Sequence, residues 1–118
     1  MAVELLRVTL PLPPSTNNLF KNAPGSGRVV TDEYERWRWE ARNAAEWPDL
    51  SRYATVPWEV ELLVYGLLRG SDLDNRIKAV LDLVASLTGL QDNWCDAIAA
   101  VRSTTGARRI VIIVSLVD

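Results

Sequence analysis

The sequence contains no histidine. That absence excludes Ser-His-Asp and Cys-His catalysis, the histidine-ligated zinc hydrolases and nucleases that rely on a histidine. No side chain is left whose ordinary pKa lies near neutrality, so an enzyme built from this chain needs another source of base. A bound divalent cation is the natural one, because it makes hydroxide available near pH 7. Cysteine is almost as scarce. Cys95 stands alone, which rules out an internal disulfide, suits a reducing cytoplasm and reads as an inert packed thiol. No apolar run approaches the ~20 residues needed to span a bilayer, so no membrane partner is expected. The N-terminal Met1-Ala2-Val3-Glu4 lacks the basic start and small-residue cleavage site of a signal peptide. A cytoplasmic location is the expectation.

A surplus of positive charge is also missing. Fifteen acids against thirteen bases give a formal net charge of −2, which argues mildly against nucleic acid as a partner. The balance changes if Asp72, Asp74, Asp82 and Asp92 serve a metal site, since eleven acids then face thirteen bases. Eleven of those bases are arginines, the side chain best shaped for bidentate phosphate contacts. The 118 residues suffice for one domain, 1–118, with a real core but not for two.

What is present orders itself along the chain. Residues 3–10 alternate loosely and read as a strand, ended by Pro11-Leu12-Pro13-Pro14. Ser15-Thr16-Asn17-Asn18 reads as a polar turn, and Ala23-Pro24-Gly25-Ser26-Gly27 as a flexible excursion. Thr31-Asp32 offers a helix N-cap, with Glu35 able to close a capping box on Asp32. Tyr34, Trp37, Ala41, Ala44 and Ala45 keep helical spacing to about Trp47, and Trp39 lies off that stripe. Residues 56–68 read as a long strand. Leu73, Ile77, Val80, Leu81, Val84 and Leu87 form the stripe of a second helix, ended by Gly89. Residues 97–102 suggest a strand, Ser103-Thr104-Thr105-Gly106 a hairpin connection, and 109–117 a strongly apolar strand. The order β-α-β-α-β-β predicts an α/β (α+β) fold: a single mixed sheet of about four strands with two helices packed on it.

The chemistry concentrates in Asp72-Leu73-Asp74-Asn75-Arg76-Ile77-Lys78. Two carboxylates, an amide and a lysine fall within seven residues, with Asp82 one turn beyond Lys78 and Asp92-Asn93 just after the helix. Mg²⁺ and Mn²⁺ prefer oxygen ligands, so converging aspartates make a candidate site, and a lysine beside it suggests a phosphate substrate. Asp74, Lys78 and Asp82 recur every fourth residue and share one helix flank. Asp72 reaches the same ion only from outside the regular turn, since residues two apart in a helix diverge by about 200°. A purely structural account covers each residue singly: Ser71 or Asp72 as N-cap, Asp74 opposing the helix dipole, and surface ion pairs to Lys78. It does not account for the set.

Other features are less specific. Arg36, Arg38 and Arg42 with Trp39 are a basic, aromatic face or a solvated helix face. Arg108-Arg109 either touches phosphate or protects a strand edge. The five tryptophans are expected in the core or at an interface.

Taken together, these residues resemble the RusA-type Holliday junction resolvases (crossover junction endodeoxyribonucleases). Residues 10–18, Leu-Pro-Leu-Pro-Pro-Ser-Thr-Asn-Asn, look like that family's N-terminal proline and asparagine signature. Asp72-Leu73-Asp74-Asn75 with Lys78 and Asp82 looks like its central motif. The resemblance implies a Mg²⁺- or Mn²⁺-dependent endonuclease that acts as a homodimer on four-way DNA junctions and leaves 5′-phosphate and 3′-hydroxyl ends. It implies metal ligands Asp72 and Asp74, with Lys78 as the catalytic lysine and Asn75 and Asp82 in support. For the third ligand, Asp92 is chosen over Asp96, because it follows Gly89 and a short turn can return it to the helix flank. Asn93 occupies the acid's position in an ungapped alignment, and the basic run before the motif is reduced to Arg69. Asn17, Asn18, Lys21, Arg28, Arg69 and Arg76 are the expected DNA contacts. Two other readings stay open: a junction-binding protein that cannot cut, and an interaction module whose acids only cap and solubilise a helix.

Overall fold

The computed structural model describes residues 3–117. Met1, Ala2 and Asp118 lie outside them, and with the first two lies the reading of the N-terminus as leader-free. The expected order of elements is present, with one addition. Strand β1 (Glu4–Leu10) is followed by a hairpin of β2 (Phe20–Ala23) and β3 (Gly27–Val30), then α1 (Asp32–Asn43), β4 (Trp58–Tyr65), α2 (Ile77–Thr88), β5 (Cys95–Ser103) and β6 (Arg109–Leu116). The excursion expected at residues 23–27 is therefore the tip of an ordered antiparallel hairpin. Sequence pattern alone misses it because its anchors lie elsewhere. Leu19 is fully buried, its carbonyl accepts from the Thr31 N–H at 3.0 Å, and Phe20 meets Tyr34 edge to face.

The main sheet runs β1-β6-β4-β5. Strand β6 is antiparallel to both neighbours, while β4 and β5 are parallel and joined through α2, as parallel neighbours require a crossover. This corrects the hairpin expected at 103–106, because β5 and β6 are not adjacent. Their connection instead crosses the end of β4 at Gly66, where a Cβ would lie 3.0 Å from the Arg108 backbone and the Gly106 carbonyl. With φ near +70°, Gly66 supplies both the room and the left-handed conformation that this crossing needs.

Register divides the sheet into two faces. The rows Val8-Ile112-Leu62-Ala100 and Leu10-Ile110-Val64-Arg102 point inward. Their apolar members on β1, β4 and β6 are buried in one cluster with Tyr34, Trp37 and Ala41 of α1 and Val80, Leu83 and Val84 of α2. Both helices thus cover the same face. The rows Arg7-Ile113-Glu61-Ala99 and Thr9-Val111-Leu63-Val101 point outward, where Val101 is 56 % exposed.

Local signals place the helix ends. Thr31 caps α1, its side chain accepting from the Tyr34 N–H, so the cap is Thr31 and not the Asp32–Glu35 box. Helix α1 ends at Asn43 rather than near Trp47, and β4 spans 58–65 within the broader 56–68. Gly89 ends α2 in the left-handed conformation at φ +86°, as its position after the apolar stripe predicts. Trp37 and Trp58 are core residues, Trp47 and Trp94 pack against the core, and Trp39 is exposed.

Candidate functional site

The loop after β4 leads into a 3₁₀ turn, Asp74–Arg76, which runs directly into α2. Asp72 precedes that turn, meeting the geometric condition for sharing a site with Asp74. Neither Ser71 nor Asp72 caps the helix. Leu73 and Arg76 occupy the N-cap positions of the two segments, without side-chain cap bonds, so the capping account of Asp72 fails. Asp72 Oδ2 instead accepts from Asn75 Nδ2 at 3.4 Å.

This turn is held from two sides. Thr16 Oγ1 donates to the Asn75 carbonyl at 3.0 Å. Arg102, reaching across from edge strand β5, donates to the carbonyls of Leu68 at 2.9 Å and Ser71 at 2.6 Å. The sequence reading assigns Arg102 no role. Its one visible signal is a charged residue at an inward register position, where the same row otherwise carries leucine, isoleucine and valine.

Asp74 and Asp92 are exposed, and Asp92 opens a second 3₁₀ turn, Asp92–Trp94. Trp58 Nε1 fixes the start of that turn by donating to the Gln91 carbonyl at 2.8 Å. Asp96 falls where the β4–β5 register shifts between Trp58 and Glu59, so a bulge sets its direction. Lys78 Nζ lies 3.4 Å from Asp82 Oδ2. The donor chemistry of Asp72, Asp74 and Asp92 suits a hard divalent cation. Among the described residues, however, no three acidic or cysteine side chains stand together as a group that could hold an ion. The structure pairs Asp72 with Asn75 and Lys78 with Asp82. It does not bring Asp72, Asp74 and Asp92 to one point.

The last residue of the acid turn behaves oppositely. Arg76 is only 9 % exposed, and its Nε is buried without a hydrogen-bond partner. Burial, then the like charge of Arg108, holds this guanidinium below the ordinary arginine value, against a smaller pull from Glu33. Arg76 lines a cleft of about 240 Å³ together with Arg36, Arg108, Asn18 and the proline segment. Trp37 seats that segment by donating from Nε1 to the Pro11 carbonyl at 2.8 Å.

The other expected DNA contacts scatter. Asn17 and Asn18 are exposed on a 3₁₀ turn, Thr16–Asn18, and Asn18 Nδ2 donates to Ser15 Oγ at 3.0 Å. Lys21 and Arg28 lie on the small hairpin, where Arg28 stacks over Phe20. Arg69 is exposed in the loop before Asp72. The α1 arginines do not form one face. Arg36 faces the proline cleft, whereas Arg38 and Arg42 flank Trp39 in a groove against Leu83 and Ser86 of α2. Edge protection does not explain Arg108-Arg109, because β6 is an inner strand; Arg109 stacks on Tyr65 at 4.0 Å. Burial raises the Cys95 thiol above its usual pKa, in keeping with an unreactive packed side chain. No helix among the described residues is long and apolar enough to cross a membrane. No family model and no curated protein matches the chain.

Proposed function

We propose that the chain is a Mg²⁺- or Mn²⁺-dependent endodeoxyribonuclease of the RusA type, cutting four-way DNA junctions as a homodimer. The observation that carries this reading is the clamped turn Asp72-Leu73-Asp74-Asn75 at the mouth of α2. Thr16 holds the turn at the Asn75 carbonyl, and Arg102 holds the loop leading into it at the carbonyls of Leu68 and Ser71, leaving the carboxylates of Asp72 and Asp74 at the surface. In this reading Asp72, Asp74 and Asp92 would hold the ion, which would supply a Lewis acid and a water ionised near neutral pH. Lys78 presents a cation to charge developing on the phosphate, and Asp82, 3.4 Å away, limits the swing of its ammonium group. Asn75 orients Asp72. The outward sheet face, with Ile113, Val111 and Leu63 at its centre, supplies the dimer surface, so that two sites meet the two-fold symmetry of a junction.

One observation favours a second reading, a junction-binding protein that does not cut: the three carboxylates stand apart. A labelled four-way junction incubated with Mg²⁺, Mn²⁺ or EDTA separates the two. Paired symmetric nicks in either metal, and none in EDTA, are expected. Binding without cutting in any metal favours the second reading. Neither binding nor cutting removes both and leaves an interaction module. A monomeric mass by light scattering, with cutting retained, would remove the homodimer.

A further inference from the structure

The cleft lined by Arg76 and the proline segment has no part in the hydrolytic chemistry proposed above. A guanidinium withdrawn from water needs acceptors for its donors. Arg76 is nine-tenths buried, yet its Nε meets no acceptor. No acid answers it with an ion pair: among the described residues the ion pairs are Arg7–Glu4 and Lys78–Asp82. Arg108 and Arg36 bring two further guanidinium groups to the same cleft. Holding like charges around a buried one is unfavourable unless an anion joins them.

The remaining walls help to define that anion. Pro11, Pro13 and Pro14 contribute no N–H, and the Pro11 carbonyl is already taken by Trp37. Glu33 and Glu40 also line the cleft, but both are exposed and free to turn toward water. Three guanidinium groups lining one cleft, one of them buried, match the oxygens of a phosphate, which arginine binds through paired hydrogen bonds. The cleft is tied to the acid turn, since Arg76 ends the 3₁₀ turn that Asp74 begins, and Thr16, from the proline and asparagine segment, holds the Asn75 carbonyl.

We propose that Arg76, Arg108 and Arg36 form a phosphate-binding cleft that seats a backbone phosphodiester of the nucleic-acid strand, flanking the one presented to the acid turn. The choice of nucleic acid as the source of the phosphate rests on the function proposed above; the cleft itself does not. The test uses the full chain in EDTA at pH 6, so that cutting plays no part. The Arg76 Nε–H resonance is assigned by its loss in Arg76→Lys, and the Trp37 indole N–H serves as a second probe. Titration with inorganic phosphate should shift both saturably, and sodium chloride at matched ionic strength should not. Arg108→Gln, an exposed change, should weaken phosphate binding about tenfold or more. It should also weaken DNA binding and lower the salt dependence of that binding by about one unit of slope. An Arg76 Nε–H signal unmoved by phosphate overturns the cleft, even if the protein cuts DNA normally. A phosphate response with unchanged DNA affinity in Arg108→Gln overturns the assignment to nucleic acid. A phosphate response, in a protein that never cuts any junction, supports the cleft while removing the nuclease.

Discussion

Asp74 and Arg76 bound the same 3₁₀ turn, yet the chain treats their charges in opposite ways. The carboxylates of Asp72 and Asp74 stay at the surface, on a turn held by Thr16 at the Asn75 carbonyl and entered by a loop that Arg102 holds at Leu68 and Ser71. The guanidinium of Arg76 is drawn inward among other arginines and left without a partner for Nε. Exposed acids on a fixed turn cost little to keep and remain free to take up a cation. A buried guanidinium whose Nε has no acceptor lowers stability. Side chains of opposite charge can therefore share one turn when one is left to solvent and the other is held by packing.

Substitutions on the two sides should separate cleanly. The largest effect is expected at the acids. Asp72→Asn or Asp74→Asn should reduce metal-dependent junction cutting by more than the roughly 100-fold typical of losing a supporting residue. Stability should stay within about 0.5 kcal/mol of wild type by urea denaturation. Normal cutting by Asp74→Asn would end the metal-site reading.

At the basic end the sign reverses. Arg76→Met keeps the aliphatic stem and removes the charge, so it should raise stability by about 1–3 kcal/mol in the same urea measurement. A loss of stability would mean that Arg76 is satisfied within the fold and that the contrast is false. Gly66→Ala should lower stability by about 1–3 kcal/mol, the cost of a non-glycine residue in the left-handed region. Because the Arg108 backbone lies where the new Cβ would go, backbone amide shifts should extend to Arg108. Confinement of those shifts to residues near 66 would uncouple the crossing from the cleft.

At Lys78 the effect on stability is expected to be small. Its pair with Asp82 is largely solvent-facing, so Lys78→Ala should change stability by less than about 1 kcal/mol while lowering turnover more than DNA affinity. An affinity loss that accounts for all of the lost activity would make Lys78 a phosphate contact only.

Much of this arrangement is legible from local pattern. The spacing of Tyr34, Trp37 and Ala41 marks the buried side of α1, Gly89 marks the end of α2, and the acid turn announces itself by its crowding of aspartates. The pairing of Lys78 with Asp82 follows from helical spacing. What escapes local pattern are contacts between residues far apart in the chain. Arg102 clamps carbonyls more than thirty residues away, Arg76 shares a cleft with Arg108, whose backbone crosses at Gly66, and β6 enters between β1 and β4 rather than beside β5.

The sequence by itself determined which segments form the two helices and the four strands of the main sheet, where α2 stops and which residues carry oxygen donors and positive charge. Each of these depends on side-chain periodicity, conformational preference or composition within a few residues. Only the tertiary structure decided the order of the strands, the burial of Arg76 and the separation of Asp72, Asp74 and Asp92. These depend on which distant segments exclude water from one another, and residue spacing carries no measure of that.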